Sequence, residues 1–270
     1  MKKNATGRQL ARVSAIQTRE TVWSDVFPGN AHTLHCFRPA VEATETALEL
    51  SLQQRKRTVW RMDGGAGADD EFIWLLARGY QVNAKGYSHR RADALAARVN
   101  RWDAYQENAW IAEVEPPIDY GRLVRVFVKR RLKNEEFHYS YYVSTLSLPS
   151  KGIFLHLYDM RGGAEVEQFR NDKSGLSMEA RRKHNFLGQK GYILLTDLAH
   201  NLLADFYHRA LIGSKFEGYG LKRIVRDLLA IPGRLIFDDR QLVRVELLSQ
   251  NQFAKDLAMC LVRYCSNVEK

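Results

Sequence analysis

The chain has only three cysteines, Cys36, Cys260 and Cys265. They are odd in number and share no metal-ligand spacing. This excludes a disulfide framework or a cysteine zinc site and leads us to expect a reducing compartment, the cytoplasm. Long apolar runs are missing too. The longest, Tyr192 to Leu211, is interrupted by Asp197, His200, Asp205 and His208, so no membrane segment is expected, and the first residues lack the apolar core of a signal peptide. Among His32, His35, His138, His156, His184, His200 and His208 no zinc pairing is read except for the last two. His200 and His208, about 80° apart on a helix, suit packing or capping. Internal repeats and low-complexity tracts are absent.

What is present is length and positive charge. The 270 residues suffice for one large domain with an insertion or for two modest domains. Lysine and arginine outnumber aspartate and glutamate by 41 to 31, a formal charge of +10. That balance favours a polyanionic partner, nucleic acid first, although a merely soluble basic protein has the same signature.

The chain opens on the basic run KKNATGRQLARVSA, which alternates into a strand, and a second strand at Glu20 to Phe27 stops at Pro28-Gly29. Helical spacing of Val41, Ala47, Leu48 and Leu52 predicts a helix over Pro39 to Leu52, and a strand follows over Arg57 to Met62. An acidic helix start at Asp69-Asp70-Glu71, a strand at Tyr80 to Lys85 and a helix over Ser88 to Val99 come next. Between Arg101 and Leu148 alternating aromatic and polar residues predict antiparallel strands, either an insertion or a small sheet. After Pro149 helices dominate, over about Gly152 to Lys173, Asn185 to Ala210 and Gly220 to Ala230. A hairpin turning at Asp238-Asp239 and a last helix over Asn251 to Ser266 complete the pattern.

Two places could carry chemistry. Asp63 stands where the strand TVWRM gives way to glycines, so its carboxylate is expected at the carboxyl end of a strand, where open α/β sheets bind ligands. A turn aspartate is the plainer reading. In YDMRGGAEVEQFRNDK, Tyr158, Arg161 and Glu165 lie within roughly 60° on one face of a continuous helix. Glu165 is the carboxylate on that face, Glu167 points about 180° from Tyr158, and Lys173 lies about 60° to the other side, within reach of a phosphate. The plainer alternative is a surface helix with an Arg-Glu pair.

WRMDGGAGADDEFIWLLARGYQVNAKGYS resembles the segment around the second aspartate of DDE transposases from bacterial insertion sequences. YDMRGGAE, continuing to Lys173, resembles the tyrosine, arginine, glutamate and lysine signature of the group named after insertion sequence four. KKNATGRQLARVSA and FLGQKGYILLTDLAHNLLADF are also similar to parts of that group. The lysine follows the glutamate by eight residues, where the usual signature has seven, which puts Asp172 in that slot.

The resemblance implies an α/β fold with a ribonuclease H-like mixed-sheet core: residues 1–100 form its first part, 101–150 a β-strand insertion, and 151–270 the helical remainder. It further implies a two-metal centre of magnesium or manganese attacking a phosphodiester in line, with Asp63 as the second carboxylate and Glu165 as the third. Arg161 would hold phosphate or orient Glu165, Tyr158 would hydrogen-bond the same region, and Lys173 would neutralise it. The implied partners are transposon-end and target DNA, and a second copy in a homodimer. Arg181-Arg182-Lys183, directly after the signature helix, is the leading candidate for DNA contact.

In that family the first aspartate lies on a strand upstream of the segment that KKNATGRQLARV resembles, and no residue here fills its place. Asp25 reads as a strand-end residue. The expectation is a core lacking its first strand, and a chain that by itself neither cuts nor joins DNA. A non-catalytic nucleic-acid-binding remnant, gripping phosphates through Arg55-Lys56-Arg57, Lys129-Arg130-Arg131 and Arg181-Arg182-Lys183, is the alternative from another class. A metal nuclease of another lineage, using Asp63, Glu165 and Lys85, is the third.

Overall fold

The computed structural model describes residues 7–31, 33–178 and 185–266, without the side chains of 161–167. The chain forms a mixed α/β fold that divides into two compact units, one of residues 1–11 and 27–162 and the other of 12–26 and 163–270. No helix among the described residues is long and apolar enough to cross a membrane.

The chain begins with strands β1 (Arg8–Ala15) and β2 (Glu20–Pro28), which pair as a two-stranded sheet of their own. They join neither of the other two sheets. Helix α1 (Thr33–Ala47) starts ahead of the predicted Pro39 and holds that proline inside. Interior proline costs a hydrogen bond, but Cys36, Phe37, Ala40, Val41 and Thr44 recur at helical spacing and all are buried, so packing overrides it. Helix α2 (Leu52–Arg55) opens on a capping box, in which the Ser51 hydroxyl accepts from Gln54 N while Gln54 Oε1 accepts from Ser51 N at 2.8 Å.

The first unit is built on a six-stranded sheet of order β3-β4-β8-β7-β6-β5. Strand β3 is short, Val59–Trp60, and pairs in parallel with β4 (Gln81–Lys85). Between them runs helix α3 (Asp69–Ala77), with Asp69, Asp70 and Glu71 in its first turn. Its N-cap is Ala68, without a side-chain cap, so the three acids serve the helix dipole. Helix α4 (His89–Ala96) is capped by Ser88. The aromatic region then supplies β5 (Asp103–Gln106), β6 (Ala109–Val114), β7 (Arg125–Lys133) and β8 (Glu136–Ser144), all antiparallel to their neighbours. Asn134 and Glu135, both at positive φ, make the tight β7–β8 turn. Strand β8 also pairs antiparallel with β4, Asn83 opposite Ser144, so the strands of 101–148 continue the sheet that β3 and β4 begin.

One sheet face carries the main core, with Phe72, Leu75, Leu76, Tyr80, Val126 and Val128 among its members. Full burial of each large apolar side chain contributes about 1.5–3 kcal/mol. On the other face Phe127 and Tyr142 meet Phe154 and Tyr158 of helix α5 (Lys151–Asp159).

Helix α6 (Arg161–Gly175), which belongs to the second unit from Gly163 on, precedes α7 (Phe186–Phe206), capped by Asn185 and continued by a π-turn over Tyr207–Leu211. Helix α8 (Leu221–Arg223) runs into a second π-turn, Ile224–Leu228. Strands β9 (Gly233–Asp238) and β10 (Gln241–Leu247) form a hairpin, and α9 (Ala254–Ser266) closes the chain. The hairpin turns at Asp239-Arg240, both at positive φ, one residue beyond the predicted pair, because Asp238 is still paired with Gln241. Its core joins Leu203, Phe206, Leu211, Phe216, Leu228 and Leu257.

Candidate functional site

The pairing of β3 with β4 continues past Trp60, with Lys85 N donating to the Met62 carbonyl at 3.4 Å. Asp63 therefore stands at the carboxyl end of two parallel strands. Its Oδ1 accepts from Gly65 N at 2.9 Å, the geometry of an Asx turn, and the residue is exposed. Both readings of this aspartate thus hold together: it shapes the turn, and it presents a carboxylate at a strand end.

The loop that follows is fixed by close backbone approach. A Cβ on Gly67 would lie 1.9 Å from the Lys85 carbonyl oxygen, and a Cβ on Gly86 would lie 1.9 Å from the Tyr141 ring. Tyr87 N donates to the Gly67 carbonyl at 2.8 Å, pinning the loop to the end of β4. The Lys85 stem runs 3.7 Å from where a Cβ on Gly64 would sit, packing against the residue after Asp63. Asp69, at the start of α3, binds Arg91 and accepts from the Tyr120 hydroxyl at 3.2 Å. Burial pushes that phenol up to about 12.

The signature region departs from the sequence expectation. The continuous helix over 152–173 is interrupted at Met160, so Tyr158 lies on α5 and Arg161, Glu165 and Lys173 lie on α6. The helical-wheel argument that put Tyr158 on one face with Arg161 and Glu165 assumed an unbroken helix and does not carry across this interruption. Tyr158 is buried, edge-on to Tyr142 with ring centres 4.9 Å apart, which is a packing role. Asp63, Tyr158 and Arg161 belong to the first unit, Glu165 and Lys173 to the second. Lys173 is exposed. The side chains of Arg161 and Glu165, and the whole of Arg181, Arg182 and Lys183, lie outside the described residues.

Much of the basic charge elsewhere has intramolecular partners. Arg55 donates to the Leu50 carbonyl at 3.1 Å and faces Glu45. Lys129 reaches Asp159 at 3.3 Å. Arg130 lies among Trp102, Trp110 and Phe137, 4.6 to 5.0 Å from the three ring centres, and rivets the sheet's far end by cation–π contact. Arg131 is exposed.

The strongest ionic constellation among the described residues was not singled out by the sequence pattern. In the second unit Arg12, on β1, divides its guanidinium between Asp172 of α6 and Asp197 of α7. The Arg12 and Asp172 side chains are 1% and 0% exposed. Ser24 donates to Asp197, and the Phe169 ring lies 4.8 Å under the guanidinium. His200 Nε2 faces the Arg19 carbonyl oxygen and Nδ1 faces Asp172 Oδ1, each at 2.7 Å. A carbonyl only accepts, so Nε2 bears a proton. Asp172 already accepts from Arg12, and a carboxylate only accepts, so Nδ1 bears one too, and the ring is an imidazolium. Burial works against that charge, but the Asp172 bond and charge with the Arg19 carbonyl outweigh it and hold His200 above its ordinary value. Burial likewise pushes Asp197 up, against the pull of Arg12 and Ser24.

The available signal was Asp197 and His200, three apart inside an apolar stretch and so on one helix face. Asp172, which takes the slot of the signature lysine, is buried in this network.

No group of three or more histidine, cysteine, aspartate or glutamate side chains that could hold a metal ion occurs among the described residues. No known family model matches the chain, and no curated protein matches it significantly.

Proposed function

We propose that this chain contributes to metal-dependent DNA strand cleavage and transfer of the DDE-transposase kind, on a ribonuclease H-like core, with Asp63 as the second carboxylate and Glu165 as the third. The observation that carries the reading is the position of Asp63: an exposed carboxylate at the carboxyl end of parallel strands, followed by a tightly packed glycine loop and bordered by Lys85. Strand ends of this kind are where α/β sheets collect ligands. The net charge of +10 supports a phosphate-rich partner.

In this reading Arg161 and Lys173 face DNA phosphate, Tyr158 stiffens the approach to α6 from its packed position, and Arg181, Arg182 and Lys183 extend the contact. Hard oxygen donors such as Asp63 and Glu165 suit Mg2+ or Mn2+, which would activate the attacking hydroxyl and stabilise the leaving oxygen. The described residues do not gather the three donors of such a centre.

The test is Mn2+ binding followed by electron paramagnetic resonance on the purified chain. If Asp63 and Glu165 share an ion, Asp63→Asn and Glu165→Gln each weaken binding by about tenfold or more, and the double variant is no weaker than the worse single one. Mn2+ binding unchanged in both single variants would overturn the assignment. Salt-sensitive DNA binding that survives in the double variant, with no Mn2+ bound by the parent chain, would favour the non-catalytic alternative.

A further inference from the structure

We infer that Arg12, Asp172, Asp197 and His200 form a buried charge clasp that fastens residues 12–26 to α6 and α7 and opens when His200 loses its proton. The inference is independent of the proposed DNA chemistry.

The clasp joins three separate stretches of one unit. Residues 12–26 supply Arg12, Ser24 and the Arg19 carbonyl, α6 supplies Asp172, and α7 supplies Asp197 and His200. The same interface is bolted by neutral bonds that do not titrate: Thr21 N donates to Asn201 Oδ1 at 2.8 Å, Asn201 Nδ2 returns a bond to the Thr21 carbonyl at 2.9 Å, and Gln168 Nε2 donates to the Arg19 carbonyl at 3.0 Å. The charged groups acting on His200 are Asp172 from α6 and Arg12 from β1, while Asp197, on its own helix, is bound to Arg12 and Ser24. The Arg19 guanidinium is turned onto the Tyr207 ring, 5.7 Å from its centre. With His200 protonated the clasp holds two cations and two anions. Without that proton one buried carboxylate loses its counter-charge and the ring gives up a donor, either to Asp172 or to the Arg19 carbonyl.

The direction with pH follows. His200 is raised in the folded chain, so its contribution is fully present below the ordinary histidine value of about 6.5 and is lost as pH rises through the folded value. Asp197, also raised, pushes the same way. The neutral bonds persist, so the expected event is loosening of 12–26 while the cores remain folded.

Hydrogen exchange read by mass spectrometry between pH 5.5 and 9, corrected for intrinsic rates, tests this. Protection of 12–26 should fall with rising pH relative to β7–β8, by about tenfold for each unit separating the folded and unfolded values of His200. In His200→Gln, which keeps a donor for the Arg19 carbonyl, the pH dependence should vanish. A second measurement, the nuclear magnetic resonance titration of the His200 ring in the unsubstituted chain, should share its midpoint with the loss of protection. A His200 midpoint below 6.5, a different midpoint for the two measurements, or an unchanged pH slope in a folded His200→Gln protein would each overturn the clasp.

Discussion

Replacing Arg12 by methionine tests the electrostatic cost of the clasp, because methionine keeps an apolar stem while removing the charge and its donors. Arg12 and Asp172 are almost wholly withdrawn from water, and Asp197 is 9% exposed. The substitution leaves the Asp172 and Asp197 carboxylates with a single imidazolium, which reaches Asp172. Removing one partner of a buried ion pair typically costs about 3–5 kcal/mol, against about 0–1 kcal/mol for an exposed pair. We expect the upper range, confined to the second unit. Because two compact units need not unfold together, a global melt is a poor readout. Trp23 is the only tryptophan of the second unit, the others being Trp60, Trp74, Trp102 and Trp110 in the first. Fluorine resonance of 5-fluorotryptophan during urea unfolding therefore reports the two units separately. The Trp23 transition should move to markedly lower urea while the other four stay in place. Adding Asp172→Leu or Asp197→Leu to the methionine variant should recover part of the loss, since a lone buried carboxylate is worse than none. A loss below about 1 kcal/mol at Trp23 would refute the reasoning, because it would mean that the carboxylates find water when Arg12 is gone.

Two further substitutions probe the first unit. Gly86→Ala drives a Cβ into the Tyr141 ring, and overpacking of this kind costs about 1–3 kcal/mol, read as lower denaturation midpoints at Trp60, Trp74, Trp102 and Trp110 with Trp23 unmoved. Arg130→Ala removes a cation from three ring faces, at about 0.5–1 kcal/mol for each half-exposed contact, and should shift the Trp102 and Trp110 resonances before any unfolding.

Local pattern was legible wherever local chemistry decides structure. The acids at Asp69 to Glu71, the helix start at Ser88 and the alternation through β7 and β8 all led to the element found. Sequence failed where a distant partner decides. Pro39 signals a boundary, yet the buried stripe from Cys36 to Thr44 carries α1 through it. The interruption at Met160 has no breaker residue of its own: its φ and ψ, −57° and −17°, are near-helical, so periodicity runs on while the helix does not. Asp63 was legible as a strand-end carboxylate because both the strand and the glycines adjoin it. The clasp was not, since Asp197 and His200 show only as interruptions until Arg12, 185 residues from Asp197, is seen to answer them.

That separation also bears on synthesis. At roughly 5–20 residues per second a ribosome takes about ten to forty seconds to travel from Arg12 to Asp197. For most of that interval the hairpin of β1 and β2 is already outside the tunnel, with a long intervening stretch free to mature first. Nascent chains stalled between these two points should therefore expose the hairpin to proteases and to holdase chaperones, and lose that sensitivity once α7 has emerged.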